Sequence, residues 1–175
     1  DGAPVEPAAL LDLIGQVDLS AASTDPGARR SIQLGLAELF LVRNDFDRAI
    51  ALLEPMAGER AQLSASEQAD YAETLATSYL RTGKPERVDA VLREGEAAAA
   101  NLGERGPAAQ AQLLILRAQW LRGSGEMEAA YTAVQRAVAL ARESTTMSAL
   151  NHGQLLINAA QSAMAVNRFD AAESW

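Results

Sequence analysis

The 175-residue sequence has no cysteine, a single histidine and a single lysine, and only 5% of its residues are aromatic. Without cysteine the chain can form no disulfide bond, no thiolate zinc site and no cysteine nucleophile. His152 is the only imidazole, so the paired histidines that commonly hold zinc or non-haem iron are absent. These absences favour a protein with no metal site and no cofactor.

Positive charge is also scarce, and the net charge at pH 7 is −8. Binding to nucleic-acid phosphates needs a basic surface, so nucleic acid is not expected as a partner. Charged residues interrupt every apolar stretch before the ~18 residues that a membrane span requires. No basic segment precedes an apolar run of the signal-peptide type. We therefore expect no membrane partner and a cytoplasmic location.

Helix-forming residues dominate what is present, namely alanine, leucine, arginine, glutamate and glutamine. Apolar residues recur at steps of three and four, as in the series Ala111, Leu114, Ala118 and Leu121. Alternation with a period of two does not persist anywhere in the chain. The pattern predicts an all-α protein.

Local signals mark where individual helices begin and end. Ser64 followed by Glu67 predicts a capping box at a helix start, and Pro107 suits a first helical turn. Gly103 is typical of the left-handed residue that follows a helix end. Pro55 lacks a backbone N–H, so it should stop or kink the helix that contains it.

Short turns recur at nearly constant intervals. When they are superposed, Asn44, Gly83, Gly125 and Asn167 occupy one position, separated by 39, 42 and 42 residues. Glycine and asparagine adopt the left-handed conformation that reverses a chain more readily than other residues do. A fixed period is typical of solenoids, in which each helical hairpin buries its apolar face against the next. The alternative is an ordinary helical bundle whose turns coincide.

Side-chain size repeats around these turns. Seven residues before each turn position stands a small residue: Ala37, Ala76, Ala118 and Ala160. The packing positions four residues before it are Phe40, Tyr79, Leu121 and Ala163. Two residues after it stand Phe46, Pro85, Met127 and Phe169, and five after it Ala49, Val88, Ala130 and Ala172. Small residues at these points would let two helices approach closely.

Taken together, these positions resemble the tetratricopeptide repeat family, in its form with a period near 40, over roughly residues 30–175. The resemblance implies a right-handed superhelical solenoid of antiparallel helix hairpins. Its repeats would span 30–63, 64–106, 107–147 and a truncated 148–175, after a short helix and linker at 1–29. Pro85 and Met127 depart from the family pattern, which has an aromatic residue at that position.

The fourth repeat is truncated and lacks the polar cap that usually closes an array of repeats. The chain begins at Asp1 and ends at Trp175 within the fourth repeat, which favours a fragment of a longer protein. Further repeats or a second copy would cover the open face around Phe169 and Trp175. The amphipathic segment 7–14 would cap the first repeat or end a preceding one.

No motif argues for catalysis, and we expect no catalytic residue. The Gly83-Lys84 pair lacks the upstream glycine and the following hydroxyl of a phosphate-binding loop. No nucleophile or orienting carboxylate can be assigned to His152. Acidic pairs at the starts of second helices suit the helix dipole better than acid–base chemistry.

In this family the first helices of successive repeats line a concave groove that holds an extended peptide or a partner helix. With the packing positions removed, the predicted groove residues are Glu38, Asp70, Glu73, Thr77, Arg81, Gln112, Gln119, Arg122, Gln154, Asn158 and Gln161. Amide side chains both donate and accept hydrogen bonds, which suits a peptide backbone. The acidic end favours a basic residue in that peptide. The alternative is that these residues form only the solvated face of their helices.

The resemblance implies a non-catalytic protein–protein interaction module. Similar long repeats are attached to bacterial signalling kinases and transcription regulators, so we expect a regulatory or sensory part of a larger protein. Family members that clamp chaperone C-termini use basic groove residues, whereas Leu34, Gly35 and Thr74 stand at those positions here. The alternative function is self-association, as a homodimer formed through the Phe169 and Trp175 end.

Overall fold

The structure, a computed structural model, describes residues 25–174 and the side chains as far as Ala171. Within this range lie eight α-helices: α1 (Pro26–Val42), α2 (Phe46–Leu53), α3 (Ala65–Arg81), α4 (Val88–Ala99), α5 (Gly106–Gly123), α6 (Met127–Glu143), α7 (Ala149–Ala165) and α8 (Phe169–Ser174). Short 3₁₀ segments occupy Glu54–Gln62, Pro85–Arg87 and Gly103–Arg105. No β-strand occurs among the described residues, and the predicted all-α class is confirmed. The predicted N-terminal helix at 7–14 and Trp175 lie outside them.

All four predicted turn residues have the left-handed conformation. The φ angles are 60° at Asn44, 70° at Gly83, 83° at Gly125 and 58° at Asn167. At each turn the next residue's N–H donates to the carbonyl five residues back, with N···O distances of 2.8–2.9 Å. This bond satisfies a carbonyl at the helix end, as in a Schellman motif. The same hydrogen-bonded reversal therefore occurs four times along the chain.

Side chains that accept backbone hydrogen bonds mark the starts of α1, α2, α3 and α7. Ser64 and Glu67 form the predicted capping box, with both reciprocal bonds present. The first helix begins at Pro26, four residues before the predicted repeat boundary, because Asp25 accepts the N–H groups of Gly27 and Ala28. Proline at the first helical position loses no intrahelical bond.

The helix ends agree with the predicted breakers. The α2 helix stops at Leu53 and continues as the 3₁₀ segment Glu54–Gln62, in which Pro55 is the second residue. Gly103 follows the end of α4 with φ 56°. Pro107 lies in the first turn of α5. Pro55 and Pro107 have positions that tolerate a missing backbone N–H, whereas Gly103 begins a 3₁₀ segment four residues after the last residue of α4.

Consecutive helices pack against one another, and the first helices of successive hairpins (α1, α3, α5 and α7) also contact one another. Within the described range no pair of second helices is in comparable contact. The predicted small residues Ala37, Ala76 and Ala118 are buried. The equivalent positions in the second helices, Ala49, Val88 and Ala130, are buried as well. In the last hairpin Ala159 and Ala163 are buried while Ala160 is half-buried, because the six-residue α8 covers little of α7.

Two apolar clusters form the core, and α5 contributes to both. Leu113 belongs to the cluster of α1–α4, whereas the opposite side of α5 belongs to the cluster of α5–α7. Trp120 packs against both clusters, and its indole N–H donates to the Pro85 carbonyl at 2.9 Å. A half-buried indole with a hydrogen-bonded N–H therefore joins the second and third hairpins.

Candidate functional site

A cavity of about 160 Å³ lies between α3, α5 and α7, the helices whose exposed faces were predicted to form a groove. Four of the predicted groove residues line it: Glu73, Gln112, Gln119 and Gln154. The remaining lining residues are Ile115, Leu116, Met147, Asn151 and Leu155. Three helices thus contribute polar side chains to one depression with largely apolar walls.

A second cavity, of about 180 Å³, shares Glu73 and Gln112 with the first. Asp70 and Arg105 supply its charged groups, and Thr146 lies at its edge in the link before α7. The two cavities therefore form one surface, with Glu73 in common. We call this surface the Glu73 groove, defined by the residues that line the two cavities.

Burial raises the pKa values of the carboxyl groups in and beside the Glu73 groove. Desolvation, together with the negative charges of Asp70 and Glu38, raises the pKa of Glu73 to about 7. Burial also raises the pKa of Asp70, although Arg105 and a hydrogen bond from Ser66 oppose this change. The pKa of Glu38 is raised by burial and by Asp70. The three predicted acidic residues therefore lie close enough to act on one another.

Among the described acids of this region, Glu73 is the one that combines deep burial with the lack of a compensating partner. No hydrogen bond or ion pair among residues 25–171 involves its carboxyl group, although that group is largely buried. The amide of Gln112 likewise takes part in none of the hydrogen bonds within this range. Asp70, in contrast, accepts from the Ser66 hydroxyl at 3.4 Å and feels the charge of Arg105. Among the described residues, the groove thus contains a carboxyl without a compensating partner beside an amide that makes no hydrogen bond.

Other predicted groove residues are engaged with one another. Asn158 is buried, and its carbonyl oxygen accepts from Gln119 at 3.1 Å and from Arg122 at 3.4 Å. Arg122 also donates to Gln161 and to the Ser162 hydroxyl. The side-chain N–H of Asn158 donates to the main-chain carbonyl of Gln154, within α7, at 2.8 Å. The bonds from Gln119 and Arg122 join α5 to α7, so both ends of the Asn158 amide are used within the protein.

The other predicted groove residues lie around the Glu73 groove. Thr77 is half-buried on α3, one turn after Glu73. Arg81 is exposed and lines a separate cavity of about 340 Å³ together with Pro85 and Trp120. Glu38 on α1 is exposed over part of its side chain, and it affects Glu73 through its negative charge.

Residues from the links between hairpins complete the groove, and sequence reasoning missed them. Arg105 lies in the link before α5, and Thr146 and Met147 lie in the link before α7. A repeat pattern aligns the residues of helices, but it carries no signal for which link residues fold back over a helix. The one available cue was that Met147 is an apolar residue within a polar link.

His152, for which the sequence suggests no catalytic role, is half-buried in the first turn of α7. Among the described residues no cluster of three histidine or acidic side chains could hold a metal ion. None of the described helices is both long enough and apolar enough to cross a bilayer.

Compared with known proteins, the chain matches no protein-family model and no curated protein sequence.

Proposed function

We propose that this chain is a non-catalytic protein–protein interaction module that binds an extended peptide in the Glu73 groove. The observation that carries the proposal is the convergence of Glu73, Gln112, Gln119 and Gln154, from three helices, on one cavity. Apolar walls beside a few convergent polar groups are typical of binding sites. Since the Gln112 amide makes no hydrogen bond to any described residue, it can offer a donor and an acceptor to a peptide backbone.

The proposal includes a repeat architecture, a right-handed solenoid of the tetratricopeptide type. It is supported by the four equivalent hydrogen-bonded turns and by the mutual contacts of the first helices. In such an array the faces of the first helices form a continuous surface on which an extended partner lies. By the same resemblance, the module serves as a regulatory or sensory part of a larger bacterial signalling or transcription-regulatory protein.

Positive charge added within the Glu73 groove tests the binding site. We expect the double variant Gln112→Arg with Gln154→Arg to weaken partner binding at least tenfold, because two added charges occupy the cavity. Partners would first be captured from a lysate of the source organism, and their affinities then measured by calorimetry with purified components. Neither glutamine side chain makes a hydrogen bond within the described range, so the variant should remain folded.

Glu128→Arg is the matched control, because it changes the net charge by the same amount. Glu128 is exposed on α6, away from the groove. Equal binding by the wild type and the groove variant would move the site off the Glu73 groove. The absence of any partner that survives reconstitution would contradict the interaction function itself.

A specific observation also favours self-association as a second candidate function. Leu150, Ile157 and Met164 recur every seven residues on α7 and are 81%, 54% and 49% exposed. Phe169, at the start of α8, is 56% exposed. Apolar residues at this spacing lie on one helix face, which is the pattern of a helix–helix interface.

Ile157→Glu tests this candidate because it places a charge at the centre of the apolar stripe. If the stripe pairs two copies, sedimentation equilibrium should show a concentration-dependent mass for the wild type and a monomer for the variant. Gln135→Glu, on the exposed face of α6, is the control and should associate as the wild type does. A wild-type chain that remains monomeric at high micromolar concentration would contradict self-association.

A further inference from the structure

We propose that the cavity at Glu73 is a specificity pocket that receives one cationic side chain, lysine or arginine, of the bound peptide. This inference rests on the proposed function and adds the chemistry of the residue that the groove selects. It depends on three features of the cavity: its walls, its uncompensated carboxyl and the charges around it.

The walls of the pocket suit the carbon stem of a long cationic side chain. Ile115 and Leu116 of α5, with Leu155 of α7 and Met147 of the preceding link, form its apolar lining. Lysine and arginine bury their methylene groups against such surfaces while their charged ends reach a polar partner. The free amide oxygen of Gln112 offers a second acceptor beside Glu73.

Charge complementarity decides between possible occupants. Glu73 is largely buried and lacks a hydrogen bond or an ion pair within the described range, so an apolar side chain would leave its carboxylate unpaired. An anionic side chain would meet Glu73 and Asp70. A bare metal ion would find a single carboxylate among the lining residues of this cavity. A cation on an aliphatic stem satisfies both the carboxyl and the walls.

The surrounding elements supply little positive charge that could compensate the Glu73 carboxylate. Glu38 on α1 and Asp70 on α3 add negative charge near Glu73. The polar residues that α5 and α7 contribute to the pocket are the amides Gln112, Gln119, Asn151 and Gln154. Arg105, in the link before α5, lines the second cavity and acts on Asp70. A peptide cation would therefore be the principal partner of Glu73.

Proton release should accompany this binding. Because the pKa of Glu73 is about 7 in the free protein, only part of the population carries the charged carboxylate at neutral pH. A bound cation favours the charged form and lowers that pKa. Apparent affinity scales with the charged fraction, so it should rise about tenfold between pH 6 and pH 8.

Selection from a random dodecapeptide library displayed on phage tests the pocket. We expect the wild-type chain to enrich peptides with lysine or arginine at one fixed position, and Glu73→Gln to lose that enrichment. Glu128→Gln, which removes an exposed charge on α6, is the control for nonspecific attraction of basic peptides and should select as the wild type does. Whether lysine or arginine is enriched tells which cation the pocket prefers.

A synthetic peptide from the selection then gives the affinity. Replacing its basic residue by norleucine should weaken binding to the wild type at least tenfold and leave binding to Glu73→Gln nearly unchanged. Selected peptides without a basic position, or an affinity that does not change between pH 6 and pH 8, would overturn the pocket while leaving the groove function intact. A library from which the wild-type chain selects nothing would overturn both.

Discussion

Replacing Glu73 by glutamine is expected to raise the free energy of unfolding by about 3 kcal/mol at pH 8 and to change it little near pH 4. The pKa of Glu73 is raised from 4.5 to about 7 in the folded protein, so folding favours the protonated form. The wild type therefore loses stability as the pH rises through the window from 4.5 to about 7. Glutamine mimics the protonated side chain and escapes that loss.

Urea denaturation of both proteins from pH 4 to pH 8.5 measures this effect. The raised pKa values of Asp70 and Glu38 also make stability depend on pH, but they do so in both proteins. The difference between the two curves therefore reports mainly on Glu73. Glu128→Gln, at an exposed position, should follow the wild type at every pH. If the curves for Glu73→Gln and the wild type were parallel, the pKa of Glu73 would not be raised in the folded protein.

The stability cost of Glu73 and the proposed pocket support each other. A buried carboxylate without a partner destabilises the folded protein, because it loses hydration and gains no compensating interaction. Perturbed carboxyl groups of this kind concentrate at binding and catalytic sites, where a ligand supplies the missing interaction. If the cation-pocket inference holds, Glu73→Gln should stabilise the free chain and weaken peptide binding. A purely structural residue would not produce these opposite effects.

Much of the fold could be predicted because its signals are local. A left-handed turn requires glycine or asparagine at one position, so Asn44 and Gly83 mark their turns without any knowledge of packing. The capping box at Ser64 and the helix stop near Pro55 are equally local. Signals of this kind fix the number and order of the helices between residues 25 and 174.

The candidate site was predicted only in part, because its geometry depends on contacts between hairpins. Glu73 and Gln112 follow from helical spacing alone, since each lies on the face left free by the packing residues. The hydrogen bonds that Gln119 and Arg122 donate to Asn158 depend on how α5 and α7 align side by side. Helical spacing within one hairpin carries no information about that alignment.

Gly95→Ala is expected to destabilise the protein by about 2 kcal/mol, although alanine is the better helix former. Gly95 is a buried residue of α4, between α3 and α5. A β-carbon added there would lie 2.3 Å from the β-carbon of Ala72 and 3.3 Å from a methyl group of Leu113. Because the Ala72 β-carbon is fixed to the α3 backbone, the helices themselves would have to separate.

Gly35→Ala is the matched control, since the same substitution in α1 would meet no atom of the described residues within 4 Å. There alanine should stabilise the protein by roughly 0.5–1 kcal/mol, through helix propensity alone. Thermal or urea unfolding of the two variants should therefore shift in opposite directions. Ala72→Gly added to Gly95→Ala moves the β-carbon across the α3–α4 contact. The double variant should therefore be destabilised by less than the sum of the two single destabilisations. Equal shifts for Gly35→Ala and Gly95→Ala would mean that the close contact between α3 and α4 is absent in solution.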